Sequence, residues 1–188
     1  MKNAIILHGM PLREEYFAPG GNRQSQMHWL GWLKNKLIEQ GLVVENPEMP
    51  EPYEPDYEQW RSVFERYPVN ENTMLIGHSC GAGFLVRWLS ERKVKVGKVV
   101  LVAPWLDLNH ELKNGFFDFK IDQQLVRRTA GVTVLVSSDD DQEVLESVRR
   151  IQSTSPGIAI KEFSDRGHFI FASMYTEEFP ELLEVLIE

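Results

Sequence analysis

Short apolar runs alternate with longer stretches whose apolar residues recur at helical spacing. Ala4-Ile5-Ile6-Leu7 is the first run, and Leu42-Val43-Val44, Thr73-Met74-Leu75-Ile76, Val99-Val100-Leu101-Val102 and Val132-Thr133-Val134-Leu135-Val136 follow it. The last strand is expected over residues 158–163. Continuous runs of this kind predict strands covered on both faces, where strict alternation would predict one wet face. Between them, Trp29, Leu30, Trp32, Leu33, Leu37 and Ile38 predict a helix over 25–40, which Gly41 stops. Trp60, Val63 and Phe64 mark a helix over 57–67, and Phe84, Leu85, Trp88 and Leu89 one over 84–92. Further helices are predicted over 121–129, 142–151 and 176–188, the last with Phe179, Leu182, Leu183 and Leu186 turned inward. Residues 11–24 and 105–120 show no firm period, so they are expected as irregular segments.

Strand and helix therefore alternate from end to end. That pattern predicts an α/β fold with a mostly parallel sheet of about six strands and helices on both faces, in three layers. No repeat, low-complexity tract or boundary divides the chain, so residues 1–188 are expected to form one domain without a large cap.

Composition changes this picture little and excludes much. The 188 residues carry a formal charge of −8, and no basic cluster offsets it. Nucleic acid and anionic membranes are thus poor candidate partners. Cys80 is the single cysteine, which excludes an internal disulfide and a cysteine-rich metal site. Residues 4–7 are too short for a signal-peptide core, and no run reaches membrane-spanning length. A cytoplasmic protein is the resulting expectation. No spacing suggests a metal site, and no cofactor is expected.

The candidate chemistry centres on Gly77-His78-Ser79-Cys80-Gly81, between the third strand and its helix. Gly-x-Ser-x-Gly in that context is the signature of a nucleophile elbow. The serine must stand clear of the sheet on a strained turn, and glycines two before and two after remove side chains that would collide there. In open α/β sheets, reacting groups gather at the carboxyl ends of strands. Those ends carry His8-Gly9-Met10-Pro11, Ser79, residues 104–107, Asp139-Asp140-Asp141 and His168. Serine, then aspartate, then histidine is the chain order of an α/β-hydrolase triad. Histidine takes the serine proton near neutrality, and an acid behind it fixes its tautomer. Two N–H groups must hold the oxyanion. The residue after the nucleophile, Cys80, supplies one, and Met10, after the first strand, is placed for the other.

His168 has four rivals. His8, His28 and His78 are readable as packing residues, and His110 lies in an irregular segment. The acid is open among the three aspartates, two of which are free to be solvated or to cap the next helix. Asp107 is an outside candidate. The Cys80 thiol reads as a small side chain beside the elbow, not as a nucleophile.

These residues resemble a known family, the minimal α/β-hydrolases that include retinoblastoma-binding protein 9 and its small bacterial relatives. The resemblance covers essentially the whole chain. It rests on His8-Gly9, the helix from His28-Trp29 to Leu37, Gly77-His78-Ser79-Cys80-Gly81, Ser138-Asp139-Asp140-Asp141 and Gly167-His168-Phe169. It implies strand order 2-1-3-4-5-6 and a Ser-His-Asp serine hydrolase. In that family an apolar residue stands three after the acid. Val144 fills that place, so the resemblance assigns the acid to Asp141, with Asp140 as alternative. The proline that usually follows the acid is replaced by Gln142, which leaves the register open by one residue. His8-Gly9-Met10-Pro11 is similar to the His-Gly-x-Pro turn of other α/β-hydrolases, which again implicates the Met10 N–H. The segment over 12–24 is longer than the family usually has and is expected to bring Tyr16 and Phe17 to the mouth of the site.

The sequence therefore points to cleavage of small or medium acyl esters by Ser79, His168 and Asp141. Two rivals stand beside that reading. One is a protein-binding module that keeps the fold without turnover. The other is a thioesterase or peptidase with the same three residues.

Overall fold

The computed structural model describes residues 2–187. Its frame is one six-stranded, all-parallel sheet in the order β2-β1-β3-β4-β5-β6. The strands are β1 (Asn3–Leu7), β2 (Val43–Glu45), β3 (Thr73–His78), β4 (Val99–Val102), β5 (Val132–Ser137) and β6 (Ala159–Phe163). Ile5, Ile6, Leu75, Ile76, Val99, Val100 and Val134 are fully buried, as continuous apolar runs require in a sheet covered on both faces.

The helices are α1 (Arg13–Phe17), α2 (Leu30–Glu39), α3 (Tyr57–Phe64), α4 (Cys80–Arg92), α5 (Gln142–Thr154), α6 (Phe171–Met174) and α7 (Pro180–Ile187). Right-handed crossovers in this strand order carry α2 to one face of the sheet and α3, α4 and α5 to the other. On the second face, Phe64 packs edge-on against Phe84 and Trp88, with ring centroids 5.5 and 4.8 Å apart. On the first, Phe179 ahead of α7 packs on Trp29 at 5.8 Å and stacks on Phe169 at 5.4 Å. Local sequence sets the start of α3: the Asp56 carboxylate caps it by accepting the Gln59 N–H at 2.9 Å. In α5, Val144, Ser147, Val148 and Ile151 recur at three- and four-residue intervals and form the buried face.

Some elements differ from the sequence reading. The helix expected over 25–40 is broken. A 3₁₀ turn covers Gln24–Gln26, and α2 begins only at Leu30. The break is His28, at φ 56°, where an L-residue cannot continue a right-handed helix. Residues 121–129 yield only a 3₁₀ turn, Leu125–Arg128. The stretch over 11–24 is not wholly irregular, since α1 lies within it and buries none of its own residues.

The strand order reverses between β1 and β3. Crossovers leave these two neighbours toward opposite faces, and a crevice opens at their carboxyl ends. Leu7 pairs with Gly77 there, which brings His8-Gly9 beside His78-Ser79. Among the described residues, no helix is long and apolar enough to cross a membrane.

Candidate active site

Ser79 sits between β3 and α4 at φ 53°, ψ −120°, a conformation that costs a non-glycine residue about 1–3 kcal/mol. Its surroundings hold it there. The Ser79 N–H donates to Val102 O at 2.9 Å, and its own carbonyl accepts from Gly83 N at 3.0 Å and Trp105 N at 3.2 Å. The flanking glycines are required by space: a Cβ on Gly77 would lie 2.6 Å from Ala82 Cα, and one on Gly81 would lie 2.3 Å from His8 O.

The Ser79 hydroxyl lies 2.9 Å from Nε2 of His168. The other ring nitrogen, Nδ1, lies 3.0 Å from each carboxylate oxygen of Asp140. The Asp140 side chain is 1% exposed and also accepts the Asp141 N–H at 2.7 Å. The acid against His168 is thus Asp140, not the Asp141 that the family register favoured. Asp141 stands exposed at the N-cap of α5.

The three aspartates divide by direction. Asp139 accepts from the Ser137 hydroxyl and from Gly167 N at 3.0 Å, and the Ser137 oxygen accepts from Arg166 N at 3.1 Å. The Ser137 hydrogen bond, helped by main-chain donors, holds the Asp139 carboxyl below its usual range. Asp139 therefore ties the turn after β5 to the loop that carries His168, while Asp140 reaches the imidazole. Asp107 turns elsewhere, accepting from Glu111 N and Leu112 N at 2.6 and 3.0 Å.

The histidines read as packing residues have specific partners. His78 Nε2 lies 2.8 Å from the His168 main-chain carbonyl. A carbonyl only accepts, so Nε2 carries the proton. Burial holds the His78 pKa well below its usual value, and the nearby histidines push it the same way. His28 Nδ1 accepts Phe171 N at 3.1 Å, and the Trp29 indole donates to Phe169 O at 3.1 Å. Burial drops the His28 pKa to about 4. His78, Trp29 and His28 thereby hold the main chain at His168, Phe169 and Phe171. The one trace of this in the sequence is the presence of polar-tipped rings at positions that should otherwise be aliphatic.

His8 is nearly fully buried. Its Nε2 accepts Met49 N at 2.9 Å, which leaves the proton on Nδ1 to donate to Gly9 O at 2.8 Å. That carbonyl belongs to the peptide whose other end is the Met10 N–H. Within the described residues, neither the Met10 N–H nor the Cys80 N–H has an acceptor. Burial pushes the Cys80 thiol up, so it stays protonated.

Two clefts meet at Ser79 and His168. The larger, about 620 Å³, is walled mainly by Met10, Leu12, Met27, Leu30, Ile170 and Phe171, with Glu15, Gln24, Gln26, His28 and Glu177 among them. The other, about 470 Å³, is lined by Trp105, Asn109, Glu111, Asp141, Gln142 and Glu143. Tyr16 and Phe17 line neither. They pack on Tyr53 instead, at 5.0 and 5.2 Å, and Leu12 and Glu15 face the larger cleft from that segment.

Fold and site together define an α/β-hydrolase-fold protein with a serine held on a strained elbow beside a histidine. The chain belongs to the serine hydrolase family, whose model matches residues 16–188. It is 28% identical over 184 residues to YdeN of Bacillus subtilis (strain 168), covering 93% of this chain and 94% of that protein. It is 25% identical over 173 residues to serine hydrolase RBBP9 of Rattus norvegicus, covering 89% of each. The crystal structure of the Bacillus subtilis ydeN gene product superposes with a TM-score of 0.79 over 100% of this chain and 97% of that one, at 24% identity.

Proposed function

We propose that this serine hydrolase cleaves acyl esters through an acyl-enzyme, with Ser79 as nucleophile, His168 as general base and then acid, and Asp140 as the group that orients His168. The observation that carries the reading is the unbroken line from the Ser79 hydroxyl to His168 Nε2, at 2.9 Å, and from Nδ1 to the buried Asp140 carboxylate, at 3.0 Å. Ser79 Oγ attacks the ester carbonyl as Nε2 takes its proton. The Met10 and Cys80 N–H groups stabilise the oxyanion. His168 returns the proton to the departing alcohol oxygen, and water repeats the sequence to free the acid. Every step uses groups of this chain.

A fluorophosphonate probe tests this directly. The protein is expected to become labelled and to hydrolyse p-nitrophenyl esters, and Ser79→Ala to lose both. Equal labelling of Ser79→Ala would overturn the assignment. A folded protein that neither labels nor turns over esters would instead be the binding module.

A further inference from the structure

The larger cleft is unlike the rest of the surface. Among the described residues, eight large hydrophobic side chains are exposed, and three of them line this one cleft: Leu12 at 62%, Phe171 at 51% and Met27 at 36%. Scattered exposed apolar residues need no explanation, but a group of them walling a concavity does. Met10, Leu30 and Ile170 add less exposed apolar surface to the same cleft, which also holds Ser79. His28, whose pKa of about 4 leaves it uncharged near neutrality, adds no charge to this wall. Two carboxylates, Glu15 and Glu177, also line the cleft, and both are exposed. The cleft on the other side of Ser79 is polar, so an ester carbonyl at Ser79 has an apolar side and a polar side available to its two substituents.

We infer that the larger cleft is the acyl site and that it takes linear, uncharged acyl chains of medium length, with the polar leaving group on the Glu111 and Gln142 side. This inference rests on the serine hydrolase reading and specifies its substrate. The first carbons lie along Met10 and Ile170. Later carbons cover Leu12, Met27 and Phe171, which water otherwise wets. Each methylene removed from water there contributes to binding in the ground state and the transition state alike. Glu15 and Glu177 set the second half of the specificity, because a chain ending in a carboxylate would bring like charges together.

The experiment is a series of p-nitrophenyl esters from acetyl to dodecanoyl, with an octanoyl ester compared against its analogue bearing a terminal carboxylate. Burial of one methylene corresponds to about a fourfold rise in kcat/KM per carbon, expected between butanoyl and octanoyl. The carboxylate-ended ester is expected to react about tenfold more slowly, with the gap closing at high salt. Phe171→Asp is expected to flatten the chain-length slope. Leu12→Asp reads the same wall from a more exposed position should Phe171→Asp fold poorly. A flat wild-type profile in a protein that the fluorophosphonate labels at Ser79 overturns the acyl site and leaves the serine hydrolase reading standing. Absence of labelling in the folded wild type overturns both.

Discussion

His78 donates its Nε2–H to the main-chain carbonyl of His168 across 2.8 Å, so the residue before the elbow serine latches the loop that carries His168. The two histidines lie 90 residues apart in sequence, with ring centroids 5.1 Å apart. His78→Phe keeps much of the packing but strands a buried carbonyl, at a cost of about 1–3 kcal/mol. The expected result is a lower melting temperature and a kcat loss larger than any change in KM. His78→Gln, which retains a donor, should recover part of it. Wild-type kinetics in His78→Phe would remove the latch from the account.

Asp140 and Asp141 separate cleanly by substitution. Asp140→Asn removes the charge behind His168 and admits the wrong tautomer, so kcat should fall by about a thousandfold or more. Asp141→Asn alters an exposed side chain that makes no hydrogen bond to His168 and no capping bond to α5, so it should stay within about fivefold of wild type. Steady-state kinetics on one ester decide it, and the reverse ranking would restore Asp141 as the acid.

His8 clamps the Gly9 carbonyl and so orients the peptide that ends in the Met10 N–H. Loss of one complete oxyanion donor costs about 10²–10³ in kcat, and a loosened donor should cost less, about tenfold to a hundredfold. His8→Ala is expected to show that loss in kcat with KM little changed. His8→Asn, which can donate to the same carbonyl, should be milder. A KM-dominated defect would place His8 in substrate binding instead.

Stability should fall on mild acidification. In the unfolded chain His28 takes a proton near pH 6.5, but in the folded protein it does so only near pH 4. Between those values the unfolded state binds more protons, so unfolding becomes easier as pH drops through this window. The full displacement corresponds to about 3 kcal/mol for His28, and His8 and His78 are displaced in the same direction. Urea midpoints measured from pH 7.5 to 4 should fall steadily below about pH 6.5. The fall should be shallower in His28→Gln, and a pH-independent midpoint would contradict the buried neutral histidines.

The sequence by itself determined the parts that local chemistry forces. Short apolar runs bounded by turn residues favour strands, so all six strands were legible, and helical spacing made α3, α4, α5 and α7 legible with them. The elbow was legible because two glycines and a serine at fixed spacing answer a local steric demand. Tertiary structure alone decided which aspartate faces His168. Asp139, Asp140 and Asp141 are chemically alike and adjacent, and partners distant in sequence separate them: Gly167 for Asp139 and His168 for Asp140, while Asp141 stays exposed at the start of α5. The same holds for the helix break at His28 and for the latch at His78. Apolar periodicity says which face is buried, but not which polar ring among the buried residues will find a main-chain group brought to it by another strand.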